Sequence, residues 1–107
     1  MDYIKNELIA SIDEIAVGTN DDATTTDMNS LKSPVITQAA DNLEGTEIGE
    51  SLHQIRILTS EANDNILQEV GVFTDDGNMF SRNIHARIEK DSTFEVLYEI
   101  SINNKNP

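Results

Sequence analysis

The sequence predicts a mainly β fold: a small antiparallel β-sandwich preceded by one short N-terminal helix. Three observations carry this. Ile66 to Thr74 and Met79 to Arg82 are β-type runs on either side of Asp75-Asp76-Gly77-Asn78, and an Asp-Gly dipeptide between such runs is a strong hairpin signal. Thr93 to Ile102 sets Phe94, Val96, Tyr98, Ile100 and Ile102 against Thr93, Glu95, Glu99 and Ser101, with only Leu97 out of step. That period of two marks a half-buried antiparallel strand. Two further runs, Ile12 to Val17 and Leu52 to Thr59, are the right length and composition to complete sheets.

In chain order, residues 1–12 read as the helix. Asp2 can cap it, Ile4, Leu8 and Ile12 recur every four residues, and Lys5 and Glu7 face away. So short a helix is marginal alone and needs a surface to dock on. Ile12 to Val17 is a strand that Gly18 ends. Residues 19–33 are Thr, Asn, Asp and Ser with little apolar content, which predicts a solvated loop with one helical turn over Met28 to Lys32. Pro34 opens a β-capable run, Val35-Ile36-Thr37, that fades into Asp41 and Asn42. Residues 42–50 read as a second loop. Loops of this length in a small domain are commonly functional, and here they are expected to order against neighbouring proteins.

Residues 52–102 form the β-rich half. Ile55 and Ile57 share one face of the first strand, with Arg56 and Leu58 on the other. Ser60 to Asn65 is a polar connection, and the hairpin follows, its second strand running on through Ile84, Ala86 and Ile88. Glu89 to Ser92 makes the next turn, and Asn103 to Pro107 is a tail.

A two-residue type I′ turn at Asp76-Gly77 needs φ > 0 at both positions, which Gly adopts freely and Asp tolerates. It pairs Asp75 with Asn78, Phe73 with Phe80 and Leu67 with Ala86, placing two aromatic rings side by side. Glu69 and Arg82 then lie on the same face, diagonal to one another and within pairing distance. Such a pair is an internal strut or part of a subunit interface; the strut is preferred, since exposed pairs contribute little.

Composition sets bounds. A chain of 107 residues is one domain that can bury about 65% of its unfolded surface. With no Cys, disulfides, thiol catalysis and Cys-based zinc sites are excluded. No apolar run approaches the roughly 20 residues of a membrane-spanning helix, and the N-terminus lacks a signal-peptide pattern, so synthesis in the cytoplasm and no membrane insertion are expected. The net charge of −13 argues against nucleic-acid binding, which draws on Lys and Arg at phosphates. It fits solubility, a basic protein partner, or a surface that DNA slides past.

No catalytic, cofactor or metal residues are expected. Asp75-Asp76-Gly77-Asn78 offers oxygen ligands but lacks the alternating acids and closing Glu of an EF-hand loop, and the turn accounts for all four residues. Asp21-Asp22 and Asn63-Asp64-Asn65 read as loop acids in the same way. His53 and His85 have no Cys or H-x-x-x-H partner and read as surface or strand-face histidines.

Two segments carry a resemblance. Glu69-Val70-Gly71-Val72-Phe73, followed by Asp75-Asp76-Gly77-Asn78-Met79-Phe80, resembles the "E-x-G-L-F-D-x-x-G-x-L" signature of phage tail-collar fibre proteins. Upstream, Ile12-Asp13-Glu14-Ile15-Ala16-Val17-Gly18-Thr19 resembles that family's "I-x-x-I-A-V-G-T" strand. A polar, threonine-rich loop follows, with Asp27 and Leu31 near the family's "D-x-x-L" at a spacing one residue longer. The hairpin residues given a structural role are Glu69, Gly71, Phe73, Asp76, Gly77 and Phe80, with Arg82 added by its register position diagonal to Glu69.

The resemblance implies a virion structural protein. It would be a tail, baseplate or collar component of a tailed virus that forms a ring with copies of itself, contacts other tail proteins and attaches fibres. Family members commonly continue into long fibres, whereas this sequence stops where a fibre would begin, so an adaptor or ring role is expected over receptor binding. A neck component between head and tail, and a free-standing binding module using its long acidic loops, are the alternatives. No small-molecule substrate is implied.

Overall fold

Apolar residues that alternate along several short runs can be buried only if those runs pair and face one another. The computed structural model, which describes residues 12–25, 27–44 and 50–103, shows that solution. Seven strands follow in order: β1 Ile12–Gly18, β2 Pro34–Ala39, β3 Asp41–Glu44, β4 Glu50–Ile57, β5 Asn65–Thr74, β6 Met79–Lys90 and β7 Val96–Asn103. They make two antiparallel sheets, one ordered β2-β1-β5-β6 and the other β3-β4-β7. There is no helix among the described residues, and the expected N-terminal helix lies almost wholly outside them; Ile12, its last residue, opens β1.

One apolar cluster joins the sheets. Ile12, Ile15, Val17, Leu67, Val70 and Val72 come from the four-stranded sheet; Ile55, Ile57, Val96 and Tyr98 come from the other. Truncating a buried aliphatic of this kind to Ala typically costs 2–5 kcal/mol, at order-of-magnitude precision. Two irregularities aim these side chains. A register shift between Ile12 and Glu14 lets Ile12 and Ile15, three apart, share the inner face. A second, between Leu67 and Glu69, puts Leu67 in the core while Glu69 faces outward. Bulges of this kind re-aim side chains that strict alternation would send elsewhere.

The central hairpin keeps the expected register from Glu69–Val72 against Ser81–Ile84, and departs from it at both ends. The turn is not a two-residue type I′ turn. Its loop is Asp75-Asp76-Gly77, closed by Thr74 N–H to Asn78 O at 2.9 Å and Gly77 N–H to Thr74 O at 3.0 Å. Only Gly77 has positive φ there, at 85°, as in the three-residue hairpin loops that end on a left-handed glycine. The Asp76 carboxylate holds this form by accepting from Asn78 N at 3.2 Å, from Asn78 Nδ2 at 3.0 Å and from the Thr74 hydroxyl. The hydrogen bond from Thr74 also keeps the Asp76 carboxyl below the usual carboxylate pKa. In consequence Phe73 faces Met79 instead of Phe80, and Phe80 is the bulged residue, 44% exposed. Farther along, Leu67 faces Ile88 instead of Ala86.

Other boundaries also move. Residues 42–44 of the expected second loop belong to β3, which pairs Asn42 with His53 and Leu43 with Leu52. The helical turn expected over Met28 to Lys32 is absent, because the Lys32 and Ser33 amides donate to the Glu69 carboxylate instead of to carbonyls a turn earlier. β6 runs to Lys90 and β7 starts only at Val96. Between them the Lys90 ammonium, buried, donates to Asn63 Oδ1 and Asp91 O at 2.8 Å each and sits 5.6 Å from the Phe94 ring centroid.

Gly77 has open space around it, so any cost of substitution there is conformational. Gly77→Val should therefore destabilise by about 1–2 kcal/mol and Gly77→Asn by clearly less, since Asn tolerates the left-handed region. Denaturant midpoints of the two variants check this; equal stability would contradict the turn assignment.

Candidate functional site

The outward face of the four-stranded sheet carries the densest polar construction among the described residues. Glu69 and Arg82 sit diagonally across β5 and β6, where Gly71 faces Arg82 and Glu69 faces Ile84. Arg82 Nε donates to Glu69 Oε1 at 2.9 Å, and both side chains are 0% exposed. Two charges withdrawn from water cost several kcal/mol each unless their remaining hydrogen-bonding capacity is met. Here it is met by the loop between β1 and β2. Glu69 accepts from the amides of Ser33 at 3.0 Å, Asn20 at 3.2 Å and Lys32 at 3.3 Å. Arg82 Nη1 donates to Asp22 O at 2.7 Å and Thr24 Oγ1 at 3.0 Å; Nη2 reaches Asn20 O and Asn20 Oδ1 at 3.4 Å each. With Nε, every guanidinium donor has an acceptor.

Loop 19–33 is therefore not a freely solvated loop. It lies over the sheet, pinned at both ends by one ion pair and in its interior by Leu31, which is buried. Two glycines make the space. A Cβ on Gly18 would collide with the Glu69 carboxylate and with Ser33 O, and one on Gly71 would come within 2.8 Å of Leu31 Cδ2. Phe73, half-buried, closes the same patch; a Cβ on Gly71 would lie 3.2 Å from its ring.

Of the residues singled out in the sequence, the fold thus gathers Glu69, Gly71, Phe73 and Arg82 at one locus, with Gly18 and Leu31. Asp76 and Gly77 shape the hairpin tip, and Phe80 turns to solvent. Asn20 is not marked out by the sequence, and Gly18 and Leu31, which lie in the segments that carry the resemblance, are given no contact with the strut there. A signal for Leu31 is present in composition: apart from Ala23 and Met28, it is the only apolar residue between Thr19 and Ser33.

Of the two places expected for His53, surface or strand face, it takes the second: it sits on the inner face of β4 as a core residue, 0% exposed. Asn42 Nδ2 donates to Ile12 O at 3.1 Å, which turns Asn42 Oδ1 toward His53 Nδ1. That places the proton on Nδ1 and leaves Nε2 to accept from the buried Ser51 hydroxyl at 2.8 Å. Ser, His and Asn stand in the order of a nucleophilic triad. Ser51 and His53 are sealed from solvent on the inner face of β4 while Asn42 is exposed on β3, and together they instead tie β4 to β3 and to β1 of the opposite sheet. Burial holds the imidazole below its ordinary pKa.

His85 pairs with Tyr98 across the sheets, ring centroids 5.4 Å apart. Its Nδ1 lies 2.7 Å from Ala86 O, so Nε2 accepts from the Tyr98 hydroxyl at 2.8 Å; burial pushes the Tyr98 pKa up to about 12. No group of three or more His, Asp and Glu among the described residues is arranged to hold a metal ion. The chain gives no significant match to any protein-family model or to any curated protein sequence.

The strut makes a sharp prediction about Arg82. Arg82→Lys keeps the charge but supplies three donors where five are used, and should cost about 1–3 kcal/mol through the acceptors left unmet, less than the about 3–5 kcal/mol of Arg82→Ala, which leaves Glu69 buried without a counter-charge. Replacing both partners with apolar residues should cost less than either single change. Thermal and urea unfolding of the set checks both orderings.

His53 predicts a pH dependence. Its folded-state pKa lies below its unfolded value near 6.5, so the unfolded chain takes up the proton first. Stability is then full above pH ~6.5 and falls as pH drops from there to the folded-state pKa, with a slope approaching about 1.4 kcal/mol per pH unit. Subtracting the profile of His53→Gln, which lacks this titration, isolates the effect; a zero difference would contradict it.

Proposed function

We propose that this chain is a structural component of a tailed virus: a tail, baseplate or collar protein that forms a ring with copies of itself, contacts other tail proteins and attaches fibres. The observation that carries the reading is convergence. The two stretches that resemble collar-fibre proteins are some 50 residues apart in sequence, yet Gly18 and Glu69 are neighbours in the pairing of β1 with β5. Gly18, Leu31, Glu69, Gly71 and Phe73 meet at one place, each with a steric or polar task there. Short motifs shared by accident need not meet at all.

The architecture suits such a role. We take the two facing sheets as a small sandwich whose outermost strands, β2 and β6 in one sheet and β3 and β7 in the other, keep one edge each for neighbours. Sheet edges are avid for further strands, and assembly is one way to cover them. The charge of −13 favours steering toward basic partners over self-association driven by charge. A neck position between head and tail is the second location consistent with these features.

Immunogold labelling of intact particles with an antibody to this chain tests the proposal. Label at the tail tip or baseplate is the expected result. Label confined to the capsid shell, or none on particles, would overturn it.

A further inference from the structure

The pinned loop leaves part of the outward sheet face open, and that part has a definite shape. On β1, Glu14 lies between Ala39 of β2 and Phe73 of β5, and Ala16 lies between Thr37 and Gly71. Small side chains in adjacent strands make a trough, which Phe73, Pro34 and Thr37 also line. The resulting groove, ≈ 330 Å³, has a floor of buried Ala16 and Leu31 and a single charged lining residue, Glu14. The Glu14 carboxylate is exposed and has no hydrogen-bond or ion-pair partner among the described residues.

We propose that this groove is a docking site for a basic segment of another protein, which seats one aliphatic side chain on Ala16 and Leu31 and brings an adjacent lysine or arginine to Glu14. Charge selects this occupant. An apolar pocket ending in an unpaired carboxylate matches a side chain flanked by a cation, and the whole chain carries −13. The described residues of a second copy offer little to supply that cation. Among the described residues Lys32 is paired with Asp22, Arg56 with Glu95 and Arg82 with Glu69, and Lys90 is buried, which leaves Arg87 alone. The inference deepens the assembly reading by naming the chemistry of a partner, yet it concerns the isolated protein, so its failure would leave the particle-labelling result untouched.

The test is a titration of the ¹⁵N-labelled full chain with the peptide acetyl-Lys-Leu-Lys-Leu-Lys-amide, followed by amide chemical shifts. The expected result is saturable shifts centred on Glu14, Ala16, Leu31 and Thr37. Affinity should fall at least about tenfold in Glu14→Lys, and equally in Thr37→Trp, which fills the trough while keeping the acid. Acetyl-Glu-Leu-Glu-Leu-Glu-amide should cause none. Both substituted positions are at the exposed surface, and an unchanged dispersed spectrum verifies that each variant is folded. Shifts spread over the acidic loops and indifferent to both substitutions would overturn the proposal, as would shifts of the same residues with protein concentration alone, which would assign the groove to a second copy.

Discussion

A carboxylate and a guanidinium with no exposure to water, one strand apart on the outward face of a sheet, constrain most of this molecule. Neither charge is tolerable there unless its partners are complete, because leaving one buried charge unmatched costs several kcal/mol. Neither β5 nor β6 can supply those partners. They come from Asn20, Asp22, Thr24, Lys32 and Ser33, so the loop must lie across the sheet for the pair to exist. The absence of a side chain at Gly18 and at Gly71 follows from the same demand, since a Cβ at either would push the carboxylate or Leu31 aside. A loop with almost no apolar content is thereby given one conformation by a pair of charges.

The inner face works by a related rule at smaller cost. The Ser51–His53–Asn42–Ile12 chain of hydrogen bonds runs from Ser51 and His53 in an otherwise aliphatic core to Asn42 at the surface, and so joins one sheet to the other. Each group in it has its donor or acceptor met, which is the condition for polar groups to be buried at all. It also explains how β3, with three polar residues in four, becomes a strand: Asn42 is held by its side chain as well as by its backbone. The charge pair orients the outside of the fold and the histidine relay joins its halves.

What could be read from the sequence divides along these lines. Strands whose residues alternate or cluster as apolar runs were legible: β1, β2, β4, β5 and β7 fall within a few residues of their expected places, and the middle of the β5–β6 hairpin is in register. The strut was legible too, since Glu69 and Arg82 sit on that middle segment. The errors lie where one side chain overrides the local pattern. Asp76 favours a three-residue loop by accepting two hydrogen bonds from Asn78, and that single extra residue expels Phe80 from its pairing with Phe73. β3 has no apolar period to see. The burial of His53 and Lys90 depends on Asn42 and Asn63, partners distant in sequence that no periodicity announces.

The loop's dependence on the strut is most directly measured by native-state hydrogen exchange. The amides of Asn20, Lys32 and Ser33 lie in a loop that pairs with no strand over most of its length, and they end on Glu69. If the ion pair fixes the loop, those three amides exchange with opening free energies close to those of the β5 amides around Val70 to Val72, and in Glu69→Gln they lose that protection while the β5 amides outlast them. Exchange of all three at the rate of an unstructured loop in the unsubstituted protein, with β5 protected, would show that the loop stands free of the strut and would contradict the account.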